Sequence, residues 1–238
     1  MMTTSMSPAG ALSPAGASPS KALSATESRV LSPTESPTES PTETRIVLRD
    51  IDWDVYQSLA AGSERAGRRI VFDRGEMEIM SPSWAHEIDK AMISRMVERF
   101  VEARNLDVLS SASTTFKRSD LDRGFEPDAS FYIQNEPTVR SKGEIDLAVD
   151  PPPDLVIEIE RSRSAIRKLP LLAAFGVPEV WRYDGQDLTV YRLTSSGYQS
   201  ADRSGCLPAF PVQVAGEILR AIGSVSETEL IRRFVSGL

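Results

Sequence analysis

The sequence predicts an α/β fold, a β-sheet covered by helices, and three observations carry that expectation. A long stretch from Trp84 to Arg104 has apolar residues at helical spacing, a continuous apolar run spans Leu155 to Ile159, and strand-like and helix-like segments alternate along the chain. The 238 residues, 40% of them hydrophobic, suffice for one sizeable domain with a core.

Residues 1–44 read as a disordered Ser/Thr/Pro-rich tail. Ser-Pro-Ala-Gly-Ala occurs at Ser7 and Ser13, and Ser-Pro-Thr-Glu occurs three times from Ser32 to Glu43. So little apolar surface does not offset the entropy of ordering the chain. Residues 45–238 form the expected folded domain. It opens with a short apolar stretch, Ile46 to Leu48, and a helix carrying Trp53, Tyr56, Leu59 and Ala60, capped by Asp50 or Asp52 and closed by Gly62. Arg69–Phe72 and Met77–Met80 form a hairpin around Asp73-Arg74-Gly75. Ser81-Pro82-Ser83 then introduces the long helix, whose stripe is Ile88, Met92, Met96 and Phe100 with Ile93 and Val97 beside it. His86 and Glu87 fall in its first turn, where Glu87 suits the helix dipole and His86 reads as a hydrogen-bonded residue of the helix start.

Strands are expected at 107–110, 113–117 and 129–133, followed by a polar loop from Asn135 to Val149 and a strand from Asp154 to Ile159. A helix from Lys168 to Phe175 tolerates Pro170 near its start and ends before Gly176. Val180–Tyr183 and Leu188–Leu193 are joined by the turn Asp184-Gly185-Gln186, and helices over Pro211–Ile222 and Glu227–Val235 close the chain.

Composition restricts the chemistry. One Cys and one His cannot assemble a Cys/His zinc site, and a His-dependent triad has only His86 to use. No Gly-x-Ser-x-Gly elbow or Walker-type phosphate loop is present. The net charge of −7 disfavours a broad nucleic-acid surface without excluding a local basic stripe. No apolar run is long enough to span a bilayer, and the N-terminus lacks a basic region followed by an apolar stretch, so a cytoplasmic protein is expected.

Oxygen-ligand chemistry remains. Asp128, Glu158 and Glu160 are the carboxylates to follow, because residues two apart on a strand point to one side and a buried carboxylate needs a cation or a partner. A divalent Mg2+ or Mn2+ meets that need; so does an internal salt bridge to Arg161, Arg163 or Lys168.

Phe125-Glu126-Pro127-Asp128, the run Pro152 to Glu160, and the segment Lys168 to Gly185 containing Gly176-Val177-Pro178-Glu179-Val180-Trp181-Arg182-Tyr183-Asp184 together resemble the Uma-two family. That family is a large bacterial group of restriction-endonuclease-like nucleases in the PD-(D/E)XK superfamily. Gly75-Glu76, Met80 to Ser83 and His86-Glu87 are similar to its N-terminal hairpin and helix, so the likeness covers roughly residues 45 to 220. The resemblance implies a restriction-endonuclease-like core, a mixed β-sheet flanked by helices, with Asp128 and Glu158 as metal-binding carboxylates, the Ile159 carbonyl as a further ligand and Glu87 as an outer one. Glu160 stands where the superfamily pattern has Lys, and Lys168 is its expected replacement, since a cation at a helix start runs against the dipole and wants a partner. The implied activity is Mg2+-dependent (or Mn2+-dependent) endonucleolytic hydrolysis of DNA by Asp128, Glu158, Glu160 and Lys168, in an assembly compatible with a homodimer. The alternative is a catalytically inactive nuclease-fold module that binds nucleic acid or a protein partner.

Overall fold

The computed structural model describes residues 43–238. The expected tail lies outside the described residues except for its last two positions, Glu43 and Thr44, and Thr44 opens the first strand. Eleven strands and six helices follow among the described residues, with a single 3-10 turn at Ser119–Leu121. The strands form two sheets rather than one. The first is antiparallel, in the order β1 (Thr44–Leu48), β3 (Glu76–Ser81), β2 (Arg69–Asp73), β6 (Arg123–Phe125), β5 (Phe116–Arg118). The second runs β11 (Gly197–Ala201), β10 (Leu188–Thr194), β9 (Glu179–Tyr183), β8 (Leu155–Ile159), β7 (Ala129–Tyr132), β4 (Leu109–Ser110). Only its β8–β9 pair is parallel, so this sheet is mixed.

Local chemistry explains most element ends. In the β2–β3 hairpin Asp73 pairs with Glu76, and Arg74 and Gly75 both take positive φ (50° and 87°), as a two-residue turn that follows the strand twist requires. Helix α1 (Trp53–Ala66) passes through Gly62, which the sequence reading made its end; the chain reverses instead at Gly67, with φ of 61°. A glycine within a helix weakens it by only about 1 kcal/mol, so continuation past Gly62 is cheap. Helix α2 (Trp84–Ala103) is capped by the Ser83 hydroxyl, which accepts from the His86 N–H at 3.2 Å. Its buried side is Met92, Ile93, Met96, Val97 and Phe100, as the periodicity predicts, but it begins with buried His86 and Asp89 rather than with Ile88.

Parallel strands need a crossover, and helix α4 (Lys168–Ala174) supplies it between β8 and β9. Helix α3 (Glu136–Val139) interrupts the expected polar loop. Helices α5 (Val212–Arg220) and α6 (Glu227–Ser236) pack with α2. Side chains alternate across β8. Leu155, Ile157 and Ile159 join the core built on α2, α5 and α6, while Val156 joins a second core with Val180, Leu171, Leu172, Phe116 and Phe125. A third, smaller core holds α1 against the hairpin through Tyr56, Ile70, Phe72 and Met77. No helix among the described residues is long and apolar enough to cross a membrane.

Candidate active site

The antiparallel register that pairs Ala129 with Ile157 brings Asp128, at the start of β7, beside the end of β8. Asp128 Oδ2 accepts the Ile159 N–H at 2.7 Å, and Oδ1 lies 2.8 Å from His86 Nε2 at the start of α2. Glu158, on β8, shares its face with Val156 and is hydrogen-bonded to the Lys168 ammonium at the first position of α4. The two carboxylates are 2% and 4% exposed, so neither is neutralised by water.

Their electrostatics diverge. Burial raises the pKa of Asp128, but the His86 hydrogen bond, the Lys168 charge and the Ile159 N–H outweigh it and hold the carboxyl down at about 2. Burial pushes Glu158 up to about 7, and the neighbouring Asp128 and Glu160 charges add to that push, so that Lys168 offsets it only in part. Lys168 is itself raised, because the Glu158 and Asp128 charges outweigh the burial that would lower it. One carboxylate is thus firmly ionised beside another poised near neutrality.

The remaining candidates occupy the surroundings. Glu160 gives its N–H to the Tyr183 carbonyl at 2.8 Å, and its carboxylate lies 3.4 Å from Arg182. It lines a cavity of 240 Å³ together with Glu158, Lys168, Arg163, Arg167 and Arg182. Ile159 contributes its N–H to Asp128, a different atom from the carbonyl expected as a ligand. Glu87 pairs with Lys90 and lies 3.6 Å from Arg69, whose Nε is 3.8 Å from Asp128, so Glu87 reaches the carboxylates through Arg69. Among the described residues no group of three or more His, Cys, Asp or Glu side chains is arranged as a metal cluster.

The sequence reading made His86 a hydrogen-bonded residue of the helix start, without its link to the carboxylates, and it named neither Glu43 nor Arg69 for the site. His86 is fully buried, and its ring bridges Asp128 and Glu43, with Nδ1 2.6 Å from Glu43 Oε1. Burial lowers its pKa, but the hydrogen bonds and charges of Asp128 and Glu43 outweigh that and raise it to about 9. Glu43 also receives Arg45 at 3.0 Å and the Ser162 hydroxyl. Being the chain's only histidine was the available signal for His86; Glu43, the last residue of a low-complexity repeat, and Arg69, the first of a hairpin strand, carried none.

The Uma2 family, described as "Putative restriction endonuclease", matches residues 53–214. A crystal structure from Anabaena variabilis, described as "a putative nuclease belonging to DUF820", is 19% identical, with a TM-score of 0.43 over 69% of this chain and 90% of that one. No curated protein matches. The family match takes in α1, every strand but β1, and Asp128, Glu158 and Lys168 of the buried cluster. The chain belongs to the Uma2 family of restriction-endonuclease-type proteins.

Proposed function

We propose that this chain is a divalent-metal-dependent endonuclease that hydrolyses phosphodiester bonds in DNA. The observation that supports it most is the meeting of Asp128, Glu158 and Lys168 in one buried cluster beside a cavity rimmed by arginines.

The donor set suits a hard dication such as Mg2+ or Mn2+. Mg2+ takes one or two carboxylates, keeps several waters and completes its sphere with phosphate oxygens, so Asp128, Glu158 and the Ile159 carbonyl meet its needs without a third acidic side chain. Each Asp128 oxygen accepts one protein hydrogen bond, which leaves a lone pair on each. When bound, the ion supplies Lewis-acid polarisation of the phosphoryl group and a water of lowered pKa.

The chain's own residues supply the rest. Asp128 stays ionised across the working pH range. Lys168 stabilises negative charge developing on the phosphate. Glu160 shares the cavity wall and holds Arg182 there, while Arg163 and Arg167 bind the sugar–phosphate backbone, which positions a strand without reading its sequence. Glu87 takes the outer role through Arg69. Cutting both strands of a duplex calls for two such sites, hence a homodimer on the substrate.

Engagement of both Asp128 oxygens by protein donors favours the second reading, a silent module that binds without cutting. Purified protein incubated with supercoiled DNA separates the two. Nicking that requires Mg2+ or Mn2+ and falls at least about 100-fold in Asp128→Asn, Glu158→Ala and Lys168→Ala is the expected result. Binding with no nicking at any metal concentration would establish the module.

A further inference from the structure

We infer that Glu43 and His86 are positioning residues for the Asp128 carboxylate, so that Glu43, directly before β1, completes the metal site. This role rests on the metal-dependent reading above. Glu43 ends the last Ser-Pro-Thr-Glu repeat and stands directly before β1, yet its carboxylate is buried and, besides nearby Arg45, contacts His86 and Ser162 far along the chain.

The geometry gives each link one task. Asp128 is held at both oxygens, by a main-chain N–H on Oδ2 and by His86 Nε2 on Oδ1. The first donor belongs to a strand and is fixed by the fold. The second is a side chain that could turn away, and what prevents this is the opposite ring nitrogen, 2.6 Å from Glu43. Each ring nitrogen faces a carboxylate, so the ring is held from both ends. Removing Glu43 therefore frees the ring to rotate or to choose the other tautomer, and Asp128 loses its side-chain donor. Partners that orient a ligating group in this way typically change metal affinity 10- to 100-fold.

Glu43 also has a structural tie, because it joins the start of β1 to the Ser162 hydroxyl. Ser162→Ala cuts that tie and leaves the His86 contact intact, which makes it the control. Mn2+ binding is followed by electron paramagnetic resonance of the free ion, and thermal midpoints are recorded for the full-length parent, Glu43→Gln, Glu43→Ala, Ser162→Ala and Asp128→Asn.

The expected result is a Kd for Mn2+ raised 10- to 100-fold in Glu43→Ala, less in Glu43→Gln, which keeps an acceptor for Nδ1, and unchanged in Ser162→Ala, in whatever order the midpoints fall. Equal Mn2+ binding by Glu43→Ala and the parent, with Asp128→Asn impaired, overturns the positioning role and leaves the metal site standing. Loss in Ser162→Ala as large as in Glu43→Ala overturns it too, because strand anchoring then accounts for both. A parent that takes up no Mn2+ overturns the metal reading and this role together.

Discussion

The Lys168 ammonium reaches back across ten residues to the Glu158 carboxylate, joining the start of α4 to β8 in a buried ion pair. Removing one member of such a pair normally leaves a costly charge behind. Here the penalty is small, because Glu158 already sits near pH 7 and can take up a proton instead. Lys168→Met is therefore expected to change the unfolding free energy by less than about 2 kcal/mol while reducing DNA nicking at least about 100-fold. Urea denaturation at pH 6 alongside a nicking assay checks both halves.

The buried carboxylates and His86 set opposite pH limits on stability. Glu43 and Asp128 are both lowered to about 2, so the stability they contribute is present above their ordinary values near 4 and is lost as pH falls toward 2. His86 is raised to about 9, so its contribution is complete below 6.5 and is lost as pH climbs through 9. Glu158, raised to about 7, adds a loss between 4.5 and 7. The metal-free protein should thus be most stable near pH 4.5, above the acid loss of Glu43 and Asp128 and before the Glu158 loss sets in. Replacing His86 by Asn should flatten the alkaline decline between 6.5 and 9 in a series of urea midpoints.

Asp89 is 1% exposed on α2, and its partner is Arg161, 2.5 Å away in the segment after β8. Arg161→Ala strands that carboxylate, with an expected loss of about 3 kcal/mol at pH 7. Urea denaturation of the variant beside the parent at pH 7 checks it.

Gly124 lies against Tyr56, and a Cβ there would fall 1.8 Å from the tyrosine hydroxyl. Gly124→Ala should cost about 3 kcal/mol through overpacking. The same hydroxyl is buried and has no hydrogen-bond partner among the described residues. Tyr56→Phe should therefore raise stability by about 1 kcal/mol, and thermal melts of the two variants test the pair of statements.

Period-two and helical patterns made the local parts of this molecule legible. The apolar β8, the stripe of α2 and the proline-tolerant start of α4 were all readable, and Lys168 was singled out by its awkward place on the helix dipole. Two strands were not. β6 is only Arg123, Gly124 and Phe125, and β11 buries little, so neither shows a pattern. The division into two sheets depends on pairings between distant segments, which periodicity does not report. Asp128 and Glu158 were named from the resemblance and from strand parity. The partners of Asp128 were invisible for a physical reason: His86 sits 42 residues away, and Glu43 lies another 43 back inside a repeat that looked like solvated chain.

Because β8 and β9 run in the same direction, the chain must leave the sheet after Ile159 and return at Glu179. Everything between is released from strand register, and it is here that Arg163, Arg167 and Lys168 are found. Lengthening or shortening this excursion would move these three cations relative to β8 while the acid that β8 carries stays put, so on the proposed nuclease reading it would alter substrate contacts without altering the carboxylates.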